Sequence, residues 1–205
     1  MSWLTDNNIF INLPPEKILA LTAYGEARGE GAEGMMAVLN VINNRAQDSS
    51  FFDMNIYNAT GSPYHAVALK QKQFSIFNFG DPNRPMLVSL AENFDNALST
   101  NASLNQAYQL SKMLTQRVLT DNTSGAVYYH AQSIKPSWAS SFIPVGNIGR
   151  HIFYATASSL ERAKTAVTEV LTAATEGVES SWWIVIIALG IGGALLLGGK
   201  RRKIT

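Results

Sequence analysis

Carboxylates are the side chains in this sequence best placed to do chemistry. Glu26, Glu30 and Glu33 crowd into the stretch Gly25-Glu26-Ala27-Arg28-Gly29-Glu30-Gly31-Ala32-Glu33. Glu26 follows Ala23 by three positions and Leu19 by seven, so a helix carries it on its apolar face, at its C-terminal end. A carboxyl there is partly desolvated and meets the negative end of the helix dipole. Both effects oppose ionisation and raise the pKa, which is what a general acid needs. Glu33 opens the next helix, where the dipole favours a carboxylate, and its simplest role is an N-terminal charge. Glu30 and Arg28 read as a solvated pair or a clamp on the turn.

Other chemistries lack their residues. The chain has no Cys, hence no thiolate nucleophile, no disulfide and no cysteine-ligated zinc. His65, His130 and His151 have no ligand spacing, so no metal is expected; His130 and His151 are instead candidates to face one cleft. There is no GxSxG elbow, Walker loop, HExxH helix or GxGxxG turn, and no cofactor is expected.

The elements that must position Glu26 are mostly helical. Pro14-Pro15 and Glu16 start a helix that runs to about Arg28. After Gly29 and Gly31 a second helix covers about Ala32 to Ala46, apolar nearly all round, as a central buried helix is. Residues 47–85 read as one long irregular surface, and Leu87–Leu98 and Leu104–Val118 show helical spacing. Ala126-Val-Tyr-Tyr-His130 and His151-Ile-Phe-Tyr154 read as strands. The fold class is therefore α+β, mostly helical with a small sheet.

The 205 residues divide unevenly. Residues 1–155 form one domain with room for a sizeable core and a net charge of −1. That neutral body argues against nucleic acid as a partner. Residues 156–181 read as a helical stalk, residues 182–199 as a C-terminal transmembrane helix with Trp182 and Trp183 at one edge, and residues 200–205 as a basic tail. Lipid is thus an expected partner, and small residues along 160–194 allow self-association. The N-terminus does not read as a secretory signal, and the domain precedes its anchor. That order suggests the internal membrane of a phage virion. A bacterial cytoplasmic membrane is the other setting.

Three ordered blocks carry a resemblance. Leu21 to Arg45 resembles the opening motif of the SleB/CwlJ-type (spore cortex-lytic enzyme-like) cell wall hydrolases. Gln73-Phe74-Ser75 resembles their central motif. Tyr129-His130-Ala131, Pro136-Ser-Trp138 and Ile148–Tyr154 resemble their C-terminal block. The resemblance implies a lysozyme-like fold and cleavage of peptidoglycan glycan strands between N-acetylmuramic acid and N-acetylglucosamine. It makes Glu26 the catalytic acid. It also implies that Glu33, Gln73, Phe74, Ser75, Tyr129, His130 and Trp138 bind substrate, with Phe74 and Trp138 stacking on sugar rings.

A two-carboxylate glycosidase needs a partner for Glu26, for which Glu33, Asp48 and Asp53 are the candidates, none marked by a motif. A single acid suits a lytic transglycosylase. The alternatives are a muramidase that adds water and a catalytically silent peptidoglycan-binding membrane protein.

Overall fold

The computed structural model of the protein describes residues 7–176. A short α1 (Asn8–Ile11) leads into α2 (Pro15–Ala27), and a single 3-10 turn over Arg28–Glu30 joins α2 to α3 (Gly31–Arg45). Pro15 and Glu16 occupy the first turn of α2, as the sequence predicts. The helix stops at Ala27, whose φ is −137°, and Gly31 takes φ +67°, where a side chain is strained. The chain then turns back into α3.

The more enclosed of the two helices is α2. Every residue from Ile18 to Tyr24 is buried, so it is the axis of the core, with α3 beside it. Packed on α2 are α3, α5 (Pro63–Ala68) and α8 (Ala102–Thr115). Leu19, Leu21, Met35, Leu39, Ile42 and Phe77 fill the space between them. Burying each such side chain contributes about 1.5–3 kcal/mol.

Residues 47–85 are more ordered than their composition predicts. They hold α4 (Met54–Thr60), started by Asp53, whose Oδ1 accepts from the Asn55 and Ile56 amides, and α5, started by Ser62 and Pro63. Between them Gly61 adopts φ +64°. Side-chain caps and Pro at N1, not periodicity, make these helices, and periodicity over so few residues carries no signal. The apolar spacing from Leu87 to Leu98 is broken at Asn93 into α6 (Arg84–Glu92) and α7 (Phe94–Thr100).

A three-stranded antiparallel sheet follows, ordered β1 (Tyr128–Ala131), β3 (His151–Ala155), β2 (Ile143–Ile148). The sequence predicts β1 and β3. It does not predict β2, whose Pro144 and Gly146 are poor strand formers accommodated by a bulge between them. Phe153 and Ala126 seat the sheet on Ala37 and Val41 of α3.

The chain divides into two units, residues 1–165 and 166–205. The helix α9 (Ala157–Glu176) begins in the first. There Ser159 is buried, and a Cβ on Gly125 would lie 2.5 Å from the Ser159 carbonyl oxygen. In the second unit residues 166–176 continue the helix. The end of the expected stalk, the expected membrane span over 182–199 and the basic tail lie outside the described residues. Among the described residues no helix is long and apolar enough to cross a membrane.

Candidate active site

Glu26 sits in the last turn of α2, where the helix emerges from the core. Its neighbour Gly25 is packed so closely that a Cβ there would lie 2.6 Å from Ile76 Cδ1. The turn Ser75–Phe77 is thereby pressed against the end of α2 that carries Glu26. Glu26 Oε2 accepts a hydrogen bond from the Tyr129 hydroxyl at 3.1 Å. Oε1 is closed to solvent and has no partner among the described residues. Burial raises the pKa of Glu26, and the negative charge of Asp81 raises it further; the Tyr129 bond and the Arg45 charge offset part of the effect. Burial together with Glu26 pushes the Tyr129 hydroxyl well above its ordinary value, so it remains a donor. The pair is a carboxyl with its pKa raised by burial beside a phenol that remains a donor to it.

Arg45, 5% exposed, closes the site from α3. Its Nε donates to the Val127 carbonyl at 2.6 Å and its Nη1 to Gln73 Oε1 at 2.8 Å. The guanidinium also lies over the rings of Phe51, Phe74 and Tyr128. One buried cation thus ties α3, the segment around Gln73 and the approach to β1 together near Glu26.

Strand register sorts the remaining candidates. Tyr129 pairs with Phe153 and Ala131 with His151, so Tyr129, Phe153 and His151 share the face turned to the helices. There Tyr129 reaches Glu26, and His151 Nδ1 meets Glu30 at 3.1–3.2 Å. His130 pairs with Ile152 and occupies the other face, stacked on Tyr154 with Trp138 edge-on to it. His130 and His151 therefore do not share a cleft, because adjacent register positions alternate faces. The outer face also carries Tyr128, Trp138 and Phe142, whose rings contact one another.

The other expected substrate contacts separate. Gln73 has its amide oxygen engaged by Arg45. Phe74 is 2% exposed, a core residue whose ring has no open face for a sugar, which corrects the stacking expectation. Ser75 is exposed, Trp138 is half-buried, and Glu33 is exposed with its carbonyl accepting from Asn122. Glu30 is not a solvated pair. Its side chain is 6% exposed and accepts from the Arg150 amide and His151, locking the β2–β3 turn. Gly149 in that turn has φ +55°, and a Cβ there would collide with the Glu30 carboxylate.

Of the three candidates for a second carboxylate, Asp48 accepts from the Ser50 amide and Asp53 caps α4, while Glu33 lies exposed in the first turn of α3. Sequence reasoning missed Asp81. It lies in the loop between the Ser75–Phe77 turn and α6, and accepts from the Asn83 amide at 2.9 Å, from Asn83 Nδ2 at 3.2 Å and from the Ser75 side chain. Burial pushes its pKa up, but these hydrogen bonds outweigh it and hold the carboxyl below its ordinary value. Asn83 Oδ1 in turn accepts from Arg28 Nη2 at 3.1 Å, and Arg28 Nη1 donates to the Gly25 carbonyl. The Asp81 loop is thus fastened to the residue next to Glu26. The sequence signal was the Asp-x-Asn spacing at 81–83, an Asx-turn pattern ordinarily read as a turn and nothing more.

A sequence family described as Cell Wall Hydrolase matches residues 29–154, beginning three positions after Glu26. No curated protein matches the chain. Two solved structures are similar over 68% of it. The catalytic domain of the germination-specific lytic transglycosylase SleB from Bacillus anthracis has 23% identity and a TM-score of 0.47, with 93% of that chain covered. The catalytic domain of the Bacillus cereus SleB protein has 22% identity and a TM-score of 0.46, with 88% covered.

Proposed function

Because the chain belongs to the cell wall hydrolase family, we propose that it is a lytic transglycosylase of lysozyme-like arrangement, cutting peptidoglycan between N-acetylmuramic acid and N-acetylglucosamine with Glu26 as its acid. One observation carries this reading: a carboxyl with a raised pKa, one oxygen bonded to Tyr129 and the other without a partner. A buried polar atom left unpaired costs about 1–3 kcal/mol, and the bridging oxygen of the glycan supplies the missing partner.

Glu26 protonates that oxygen as the bond to muramoyl C1 breaks, and the bonding electrons leave with the N-acetylglucosamine 4-hydroxyl. The Glu26 carboxylate then takes the proton of the muramoyl C6 hydroxyl as its oxygen bonds C1. A 1,6-anhydro ring closes, water is not consumed, and Glu26 ends protonated. Tyr129 holds the carboxylate in both halves of the cycle, and Arg45 offsets its charge. Ser75, in the turn against the end of α2, and His130 and Trp138, on the outer face of the sheet, are proposed to line the sugar path.

Digestion of purified sacculi tests the reading. Anhydro-muropeptides support it, new reducing ends point to a muramidase, and the absence of products points to a silent binding protein.

The setting rests on the sequence. The apolar run at 182–199, followed by Lys200–Lys203, supports a membrane anchor, and small residues along 160–194 support self-association there. With the domain ahead of that run, a phage virion membrane is the proposed location. Zymogram activity that follows lipid when particles are stripped supports it, and absence of the protein from purified particles rules it out.

A further inference from the structure

We propose that Asp81 is the second carboxylate of this site, lying against the muramoyl ring and stabilising the positive charge that develops at C1 while Glu26 delivers its proton. The proposal rests on the glycan-cleaving reading of Glu26.

Geometry carries it first. Ile76 against Gly25, and Arg28 bridging Asn83 and the Gly25 carbonyl, fix the loop of Asp81 to the end of α2. The Asp81 carboxylate is itself held by Asn83 and Ser75, so it does not need to reorganise when charge appears beside it. It also lines an open depression of about 570 Å³ together with Phe79, Pro82, Arg84 and Val88; Glu26 is not among the residues of that lining. Phe79 is 59% exposed at its rim, with the Arg84 guanidinium over its ring at 4.4 Å.

The protonation pattern agrees. Burial pushes Glu26 up and hydrogen bonds hold Asp81 down, so the two pKa values are driven apart in the directions that glycoside cleavage uses for its acid and its anion. Glu26 faces Tyr129 from β1, Arg45 from α3 and Asp81 from the loop, with Arg28 at its own helix end. Among these, only Asp81 is an anion that raises its pKa. Asp81 takes no proton in the cycle, so the balance of bonds is unchanged.

Two variants test it on the full chain, with sacculi as substrate and kcat measured against pH. Asp81→Asn keeps the Asn83 contacts to its Oδ1 and removes the charge. The expected result is a loss of about 10²-fold in kcat, with the basic limb of the profile moved to lower pH because Glu26 loses its anionic neighbour. Ser75→Ala leaves the charge and removes one hydrogen bond that favours it. The expected result is an acid limb moved to higher pH. Asp81→Asn with kcat within threefold of the parent and unmoved limbs overturns the proposal. So does an unmoved acid limb in Ser75→Ala, which decides the matter if Asp81→Asn does not fold. Glu26→Gln is run alongside: activity retained there removes the underlying reading, whereas a dead Glu26→Gln with a fully active Asp81→Asn removes the second carboxylate alone.

Discussion

The Tyr129 hydroxyl donates to Glu26 Oε2 at 3.1 Å, joining sheet to helix across 103 positions of sequence. Its effect on the acid runs against that of burial. A hydrogen bond to the carboxylate favours ionisation, desolvation opposes it, and desolvation is the larger. The sheet therefore trims an acid that the helix end creates.

Replacing Glu26 separates chemistry from stability. Glu26→Gln is expected to lose at least about 10²–10⁴-fold in activity, since an amide delivers no proton. The same variant is expected to melt higher at neutral pH. A raised folded pKa contributes stability below the unfolded value of 4.5 that is lost as pH rises through the folded pKa, and Gln does not carry that loss. Melting curves of the two proteins should converge toward pH 4. Retention of more than roughly a few per cent of activity would falsify the assignment of Glu26.

Tyr129→Phe removes the one hydrogen bond that lowers the Glu26 pKa. The basic limb of the activity profile should move to higher pH, and kcat at the optimum should fall by about tenfold, the equivalent of 1.4 kcal/mol. Unchanged limbs would mean that the 3.1 Å contact is not made during turnover.

Gly149→Ala tests the lock on the β2–β3 turn. The positive φ alone costs an alanine about 1–2 kcal/mol, and its Cβ must also displace the Glu30 carboxylate. A lowered denaturation midpoint is expected, together with reduced activity, because β3 pairs with the strand that carries Tyr129. Wild-type stability in this variant would show that Glu30 is not packed as described.

Acid sensitivity is expected from His65. It is 2% exposed, its Nε2 meets the Leu13 carbonyl at 2.9 Å, and its Nδ1 has no partner among the described residues. Burial lowers its pKa, so its contribution is complete above the unfolded value of 6.5 and is lost as pH falls through the folded value. His65→Gln should flatten that part of the stability profile. A profile as steep as the parent's would assign the acid loss to other groups.

The helix end carrying Glu26 is legible in the sequence because Pro, apolar period and glycine turn all point to the same boundary. Its neighbours are less so. Nothing in the type of Phe74 distinguishes a sugar platform from a core ring; only packing beneath Arg45 does. Tyr129 and His130 look equivalent in the motif, and strand register alone puts them on opposite faces. Asp81 carries only the Asp-x-Asn turn signal, since its role depends on a loop held by Arg28 and Ile76, far from it in sequence or in a different turn. Carboxylates on helices announce themselves by spacing, and those on loops do not.

The irregular β2 has a bearing on how molecules of this protein meet. Among the described residues it is an edge strand, with only β3 beside it. A straight, regular edge in that position offers a template for pairing with another chain. Pro144 lacks an amide hydrogen to donate, and the bulge before Gly146 interrupts the spacing that a second strand must match. The residues that hid β2 from sequence reading are thus the ones that keep its open side from seeding edge-to-edge aggregation where many copies crowd together.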